Sequence, residues 1–323
     1  MQTSNNIKGA LMALLAFGLY SAHDVVVKTL GGSFTTFQII FFSVLLSFPL
    51  VMLMLMRDTT RGTLIPQHPW WTALRTGSAV VTGLCIFYAF ATLPMAQVYA
   101  IIFAMPLIIT VLSVPILGET VGMHRWGAVI VGLIGVIVVL RPGQSDLELG
   151  HLAALVGACT GSLVSIIVRK IGQDERSAVL LLYPMMANFV VMACALPFVY
   201  VPLELHELGL LGLMAALAFA GGLCSILAYK AGDAAIVAPM QYSQMLWAAF
   251  YGSFFFGETV DRVTWIGAGI IIASGIYIVL RESFGGRSTA HPVLQNRSRA
   301  ETGTTPRVRL LGRLVGRVAQ ESD

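Results

Sequence analysis

Charge is what this chain has least of. Only 11% of its 323 residues are Asp, Glu, Lys or Arg, against 57% apolar, and its mean hydropathy is +0.81. So few charged side chains cannot cover the surface of a soluble globule, which excludes a water-soluble domain. Cysteine is scarce as well: Cys85, Cys159, Cys194 and Cys224 stand singly inside apolar runs, with no CxxC, loop pair or metal spacing. That excludes a disulfide scaffold or thiolate metal centre and leaves four packing thiols. No Walker A loop, metal box or catalytic triad is present, which disfavours primary pumps and enzymes; no cofactor is expected. The basic balance, pI about 9.0, sits in a terminal tail and short loops, so it reads as topology and lipid contact rather than nucleic-acid binding.

What is abundant is apolar chain in lengths of about 20 residues, the number that crosses a hydrocarbon core about 30 Å thick. The runs predict spans at 7–27, 34–56, 70–92, 95–117, 125–140, 150–169, 178–200, 207–229, 234–256 and 264–280. Between Trp70 and Leu117 the apolar character hardly stops, and the fold-back falls at Leu93-Pro94, where proline removes a donor and turns its predecessor from helical angles. The first run is too long for a signal peptide and carries no small-x-small site before Lys28, so it is expected to stay as a span.

The chain repeats itself. Gly118-Glu119-Thr120-Val121 recurs as Gly257-Glu258-Thr259-Val260, and the same offset of 139 carries Trp126 onto Trp265. At 140, Gly127, Gly135 and Arg141 fall on Gly267, Gly275 and Arg281; at 141, Gly9, Leu11, Ala13 and Ser21 fall on Gly150, Leu152, Ala154 and Ser162, with Lys28 echoed by Arg169. Residues 7–141 and 148–281 are therefore expected to be copies of one five-span unit, followed by a largely disordered basic tail at 282–323. In that tail Arg309, Arg313 and Arg317 face Leu310, Leu311 and Leu314 at helical spacing, a pattern open to an amphipathic surface helix or to an unstructured tail.

With the N-terminus inside, sixteen Lys and Arg lie in inner segments and three, Lys28, Arg141 and Arg262, in outer ones. Both termini are thus expected in the cytoplasm, with the protein in a bacterial-type inner membrane. Because five is odd, the second unit enters from the opposite side. The expected fold is an all-α polytopic membrane protein of ten transmembrane helices as two inverted five-helix repeats, the architecture of alternating-access carriers with a site near midplane.

Candidate site residues follow from that architecture. His23 and Asp24 lie inside the first span, where ionisable groups are costly and face a polar cavity, with proton coupling or substrate contact as roles; alternatively Asp24 pairs with Lys28 and His23 faces a neighbour. Gln97, Tyr99 and Phe103 on the fourth span, and Gln241, Tyr242, Gln244 and Trp247 on the ninth, offer amides and rings at midmembrane depth, either lining a cavity or gluing helices. Phe103 and Tyr242 are mates at offset 139. Tyr88 and Tyr229, near the ends of the third and eighth spans, line the cavity or anchor at the interface. Glu119 and Glu258 follow glycines at span ends; they satisfy free amides of the next helix start, or act as symmetric gates. Trp70, Trp71, Trp126 and Trp265 mark the interface, and Gly157 and Gly161 permit close helix approach.

These motifs, with Val139-Leu140-Arg141-Pro142-Gly143, Val279-Leu280-Arg281-Glu282 and Phe87-Tyr88-Ala89-Phe90-Ala91-Thr92-Leu93-Pro94-Met95-Ala96, resemble the EamA family of the drug/metabolite transporter superfamily over residues 7–281. The resemblance implies a ten-helix carrier of small organic metabolites with a central cavity lined from both repeats. Family members often carry an arginine near the position of Ser43, which this chain lacks. Together with the aromatic lining, the resemblance points to a planar neutral or zwitterionic substrate, riboflavin or a nucleoside-like compound such as S-adenosylmethionine; an amino-acid or drug exporter is the alternative. A lipid-acting membrane enzyme, a flippase or a non-transporting subunit remain as other classes. Expected partners are the substrate, the bilayer, a coupling proton and, for a homodimer, a second copy. Because the repeats end before the tail, a chain lacking 283–323 is expected to keep transport; a truncation that inserts normally but transports nothing contradicts this reading.

Overall fold

In lipid no water satisfies backbone amides, so each apolar run must close its hydrogen bonds within itself. The structure, a computed structural model, describes residues 2–56, 64–141, 148–172, 174–231 and 234–284, and every regular element among them is helical. The helices are α1 (Gln2–Gly31), α2 (Thr36–Met56), α3 (Pro69–Thr92), α4 (Met95–Ile102), α5 (Met105–Leu117), α6 (Met123–Leu140), α7 (Leu149–Ile171), α8 (Ser177–Val199), α9 (Leu205–Ala231), α10 (Ala234–Val237), α11 (Gln244–Phe256) and α12 (Arg262–Phe284), with a 3-10 turn at Ala238–Ser243 between α10 and α11. Eight helices, counting α4–α5 as one, are long and apolar enough to cross a membrane, and Thr36–Pro49 of α2 is a shorter apolar helix. The chain is a multi-pass helical membrane protein. The tail and its Arg309–Arg317 stripe lie outside the described residues.

Two expected spans are not single helices. The fourth breaks at Phe103-Ala104, and the ninth becomes α10, the 3-10 turn and α11. Pro106 and Pro239 explain this: each lacks the N–H that would bond four residues back and crowds that carbonyl. At offset 139 the first break, 103–104, falls on 242–243 within the second.

Helices from the two halves pair off: α1 with α9, α3 with α7, α2 with α8, α6 with α12. Small residues set the approach distances. Gly135 and Gly267 meet where α6 crosses α12, and a Cβ on either would stand 2.9 Å from the other's carbonyl oxygen. Gly157 and Gly161 admit Ile86 and Met105. Gln38 clasps the α8–α9 linker in both directions, its Nε2 donating to Val201 O (2.6 Å) while Val201 N–H donates to Oε1 (2.9 Å). Trp70, Trp126 and Trp265 stand exposed at helix starts, as interfacial anchors do. The four cysteines are free, but Cys159 and Cys194 are exposed, so only Cys85 and Cys224 serve as packing thiols. Gly135→Leu is expected to destabilise the α6–α12 crossing by about 1–3 kcal/mol, the usual penalty of overpacking, whereas Gly77→Leu, with nothing within 4 Å of a Cβ, leaves the melting temperature in detergent unchanged.

Candidate functional site

A polar nest lies closed inside the helices. On α1, Asp24 and His23 are each 1% exposed, and His23 Nδ1 and Asp24 Oδ1 lie 2.7 Å apart, the ring N–H donating to the carboxylate. From α4 the Tyr99 hydroxyl donates to the other carboxylate oxygen. That hydroxyl in turn accepts from Ser21 Oγ (3.2 Å) and from Gln244 Nε2 on α11 (3.4 Å). A carboxylate this buried survives only where hydrogen bonds replace its water; α1 and α4 supply them, and α11 braces the Tyr99 phenol. The expected Asp24–Lys28 pairing does not form. Asp24 turns inward to Tyr99, and Lys28 bonds elsewhere.

Aromatic rings continue from the nest. Phe90 and Tyr99 pack edge-on at 5.3 Å, Tyr99 lies 6.1 Å from Phe103, and Phe103 meets Tyr242 edge-on at 5.1 Å. The two residues that are mates at offset 139 thus touch where the two helix breaks face each other. Gly275 makes room there, since a Cβ on it would collide with the Tyr242 hydroxyl. Phe87 sits edge-on to His23 at 6.2 Å. Trp247 packs on Gly18 of α1 and stacks with Tyr251.

An ion pair sits beside each of the two Gly-Glu turns. Glu258 Oε1 meets Lys28 Nζ at 2.9 Å and its Oε2 accepts the Met95 N–H at 2.9 Å, while Lys28 also donates to Leu93 O (2.5 Å) and lies over the Phe256 ring. Arg169 donates to Glu119, and the adjacent Lys170 donates to Ile116 O (2.6 Å) and lies 4.4 Å from the Trp71 ring centre. Neither glutamate serves the helix start that follows it in the chain. At α12 that role falls to Asp261, which accepts from Val263 and Thr264 N–H. Burial pushes the Asp261 carboxyl up, but bonds from Thr264 and Arg141 outweigh this and hold it below its ordinary value.

A polytopic helical protein with a buried acid and ring cluster invites comparison with known carriers, and the match is clear. The model of the EamA-like transporter family matches residues 7–141 and again 148–281. The chain belongs to the EamA-like transporter family. This EamA protein is 29% identical to the S-adenosylmethionine uptake transporter of Rickettsia bellii over 83% of this chain and 92% of that protein. It is 28% identical to the riboflavin transporter of Vibrio cholerae over 69% and 76%, and 24% identical to the pseudopaline exporter of Pseudomonas aeruginosa over 84% and 93%. A solved crystal structure shares the fold, with TM-score 0.54 at 16% identity, covering 85% of this chain and 96% of that one. The EamA protein is therefore a small-metabolite transporter and not an enzyme.

Of the candidate residues, the structure brings His23, Asp24, Tyr99, Phe103, Tyr242 and Gln244 into one cluster. Gln97 lines a small cleft between α4 and α11 that reaches Glu258 and Asp261. Gln241 is half-buried beside Tyr242. Tyr229 packs instead with Ala13 and Val237, and Tyr88 is 38% exposed, as an interfacial anchor is. Ser43 is buried on α2, its carbonyl taken by Ser47. Ser21, Phe87 and Phe90 join the site unforeseen; only Ser21 had a signal, three residues before Asp24 and so on the same helix face. Among the described residues no group of His, Cys, Asp and Glu could hold a metal. Tyr99→Phe in this EamA protein leaves a buried carboxylate oxygen without its donor and is expected to cost about 1–3 kcal/mol. Thermal unfolding in detergent checks it, with Tyr88→Phe as the variant that stays at the parental value.

Proposed function

We propose that this protein is a secondary carrier built of two inverted five-helix repeats, spanning 7–141 and 148–281, with both termini cytoplasmic in an inner membrane. Its cargo is a metabolite joining a planar ring to a positive charge, of the S-adenosylmethionine type. The single observation that carries the cargo class is the Asp24 carboxylate buried against Tyr99 and His23 beside the Phe103–Tyr242 ring pair. A fixed cation finds its counter-charge at Asp24, and a flat ring finds stacking surfaces one step away. Riboflavin, neutral and with a wider ring system, uses the rings but leaves the carboxylate unanswered, so it ranks second although a relative is named for it.

Support for the repeat arrangement comes from packing. Exchanging the halves turns the α1–α9 pair into α7–α3, and leaves α2–α8 and α6–α12 as themselves. Breaks at corresponding depth in both halves are where such carriers bind their substrates. Histidine is a side chain that carries protons, and His23, bonded to Asp24, is the residue through which a proton gradient would drive uptake.

The experiment is uptake of radiolabelled S-adenosylmethionine into vesicles carrying the purified protein, with and without an imposed pH gradient. Saturable uptake, competed by excess unlabelled substrate and lost in Asp24→Asn at parental abundance, is expected. Uptake of riboflavin but not S-adenosylmethionine, or full activity in Asp24→Asn, refutes the assignment.

A further inference from the structure

The two glutamates following the left-handed glycines Gly118 and Gly257 make the same contact at opposite ends of the molecule. Glu258, in the second half, takes Lys28 at the end of α1; Glu119, in the first half, takes Arg169 at the end of α7. Lys28 falls on Arg169 at offset 141 and Glu119 on Glu258 at 139, so one bridge is the other with the halves exchanged. They lie far apart along one path: Met95, which donates to Glu258, starts α4, and Glu119 follows the end of α5. Met95–Leu117 is 23 residues, about 35 Å at 1.5 Å per residue.

We infer that Lys28–Glu258 and Arg169–Glu119 are reciprocal latches, each closing the site toward one side of the membrane and opening while the other holds. Each ties the first helix of one half to the turn after the broken helix of the other, which is where two halves rocking about the buried cluster separate most. The partners are 12–16% exposed in side chain, so neither pair is sealed in the interior as Asp24 is, at 1%. Distance from the nest favours the same role. Asp24 is four residues from Lys28, and Tyr99 four from Met95, one helical turn in each case. The cleft between α4 and α11 runs from Glu258 to Gln97, two residues short of Tyr99, past the small side chains of Ala96 and Ala248. On that side a single turn of helix and one ion pair separate the outside from Asp24.

The inference rests on the two-half carrier reading but not on the identity of the cargo, and its test needs no substrate. Gln97→Cys, in a background without the four native cysteines, reports access through the cleft by its rate of reaction with a membrane-impermeant maleimide. The reagent is applied to right-side-out and inside-out vesicles separately. From the Lys28 side, Lys28→Gln and Glu258→Gln are expected to raise the rate at least threefold, and Arg169→Gln and Glu119→Gln to lower it; the exchanged pair Lys28→Glu with Glu258→Lys returns to the parental rate. Rates unaffected by all four neutralisations, or shifted in the same direction by both pairs, overturn the latches. Should Glu258→Gln fail to accumulate, Glu258→Asp, one methylene too short for both bonds, takes its place: a raised rate supports the latch and an unchanged one overturns it.

Discussion

A carboxylate inside a membrane has to be held by something, and the interior of this protein is arranged to hold Asp24. Ionised and alone it would be expelled to water; protonated and unbonded it would still cost several hydrogen bonds. Here α1 brings His23 and Ser21, α4 brings Tyr99, and α11 reaches that phenol through Gln244. Tyr99 lies one turn before the break in the fourth apolar segment and Gln244 directly follows the 3-10 turn in the ninth, so both breaks adjoin the residues that serve the acid. Breaks free backbone groups, and these are tolerated only where protein covers them. The acid, the breaks and the ring pair at Phe103 and Tyr242 are therefore one requirement met in one place.

Hydropathy made the helical segments legible because length and apolarity are local properties. The positions of helix ends followed to within a few residues, and Leu93-Pro94 turned where proline demanded it. What sequence spacing could not reveal was partnership across the chain. Asp24 and Lys28 are four apart, the distance at which helix neighbours attract, yet Lys28 found Glu258, 230 positions away, and Asp24 found Tyr99. The same bias assigned Glu119 and Glu258 to the helix starts that follow them. Local pattern shows which residues are costly to bury, and tertiary packing decides who answers them.

The prolines at the two breaks are placed unevenly between the halves. Pro106 has Met245 as its mate and Pro239 has Ala100, so each break has its own proline and the two overlap without sharing its position. Each proline was legible in the sequence, but comparing the halves gave no warning of either break, since neither position recurs as proline. The overlap of their breaks at Phe103 and Tyr242 reflects the need to bring two backbones past each other, a need that either half can meet with a differently placed imino ring.

The scaffold is repeated, but the charge is not. At offset 141 Asp24 falls on Ser165, and at 139 Tyr99 falls on Ala238, so the second half lacks both members of the nest. Between two equivalent halves a ring bound at the Phe103–Tyr242 contact would sit near their common axis, where either orientation costs the same. For the cargo proposed above, a single carboxylate off that axis removes the degeneracy and draws a cation at one end of the ring to α1, one turn from the Lys28–Glu258 bridge. On the proposed cargo, polarity of binding comes from the carboxylate that only the first half carries at this position. The two proposed latches are then alike while the site between them is not.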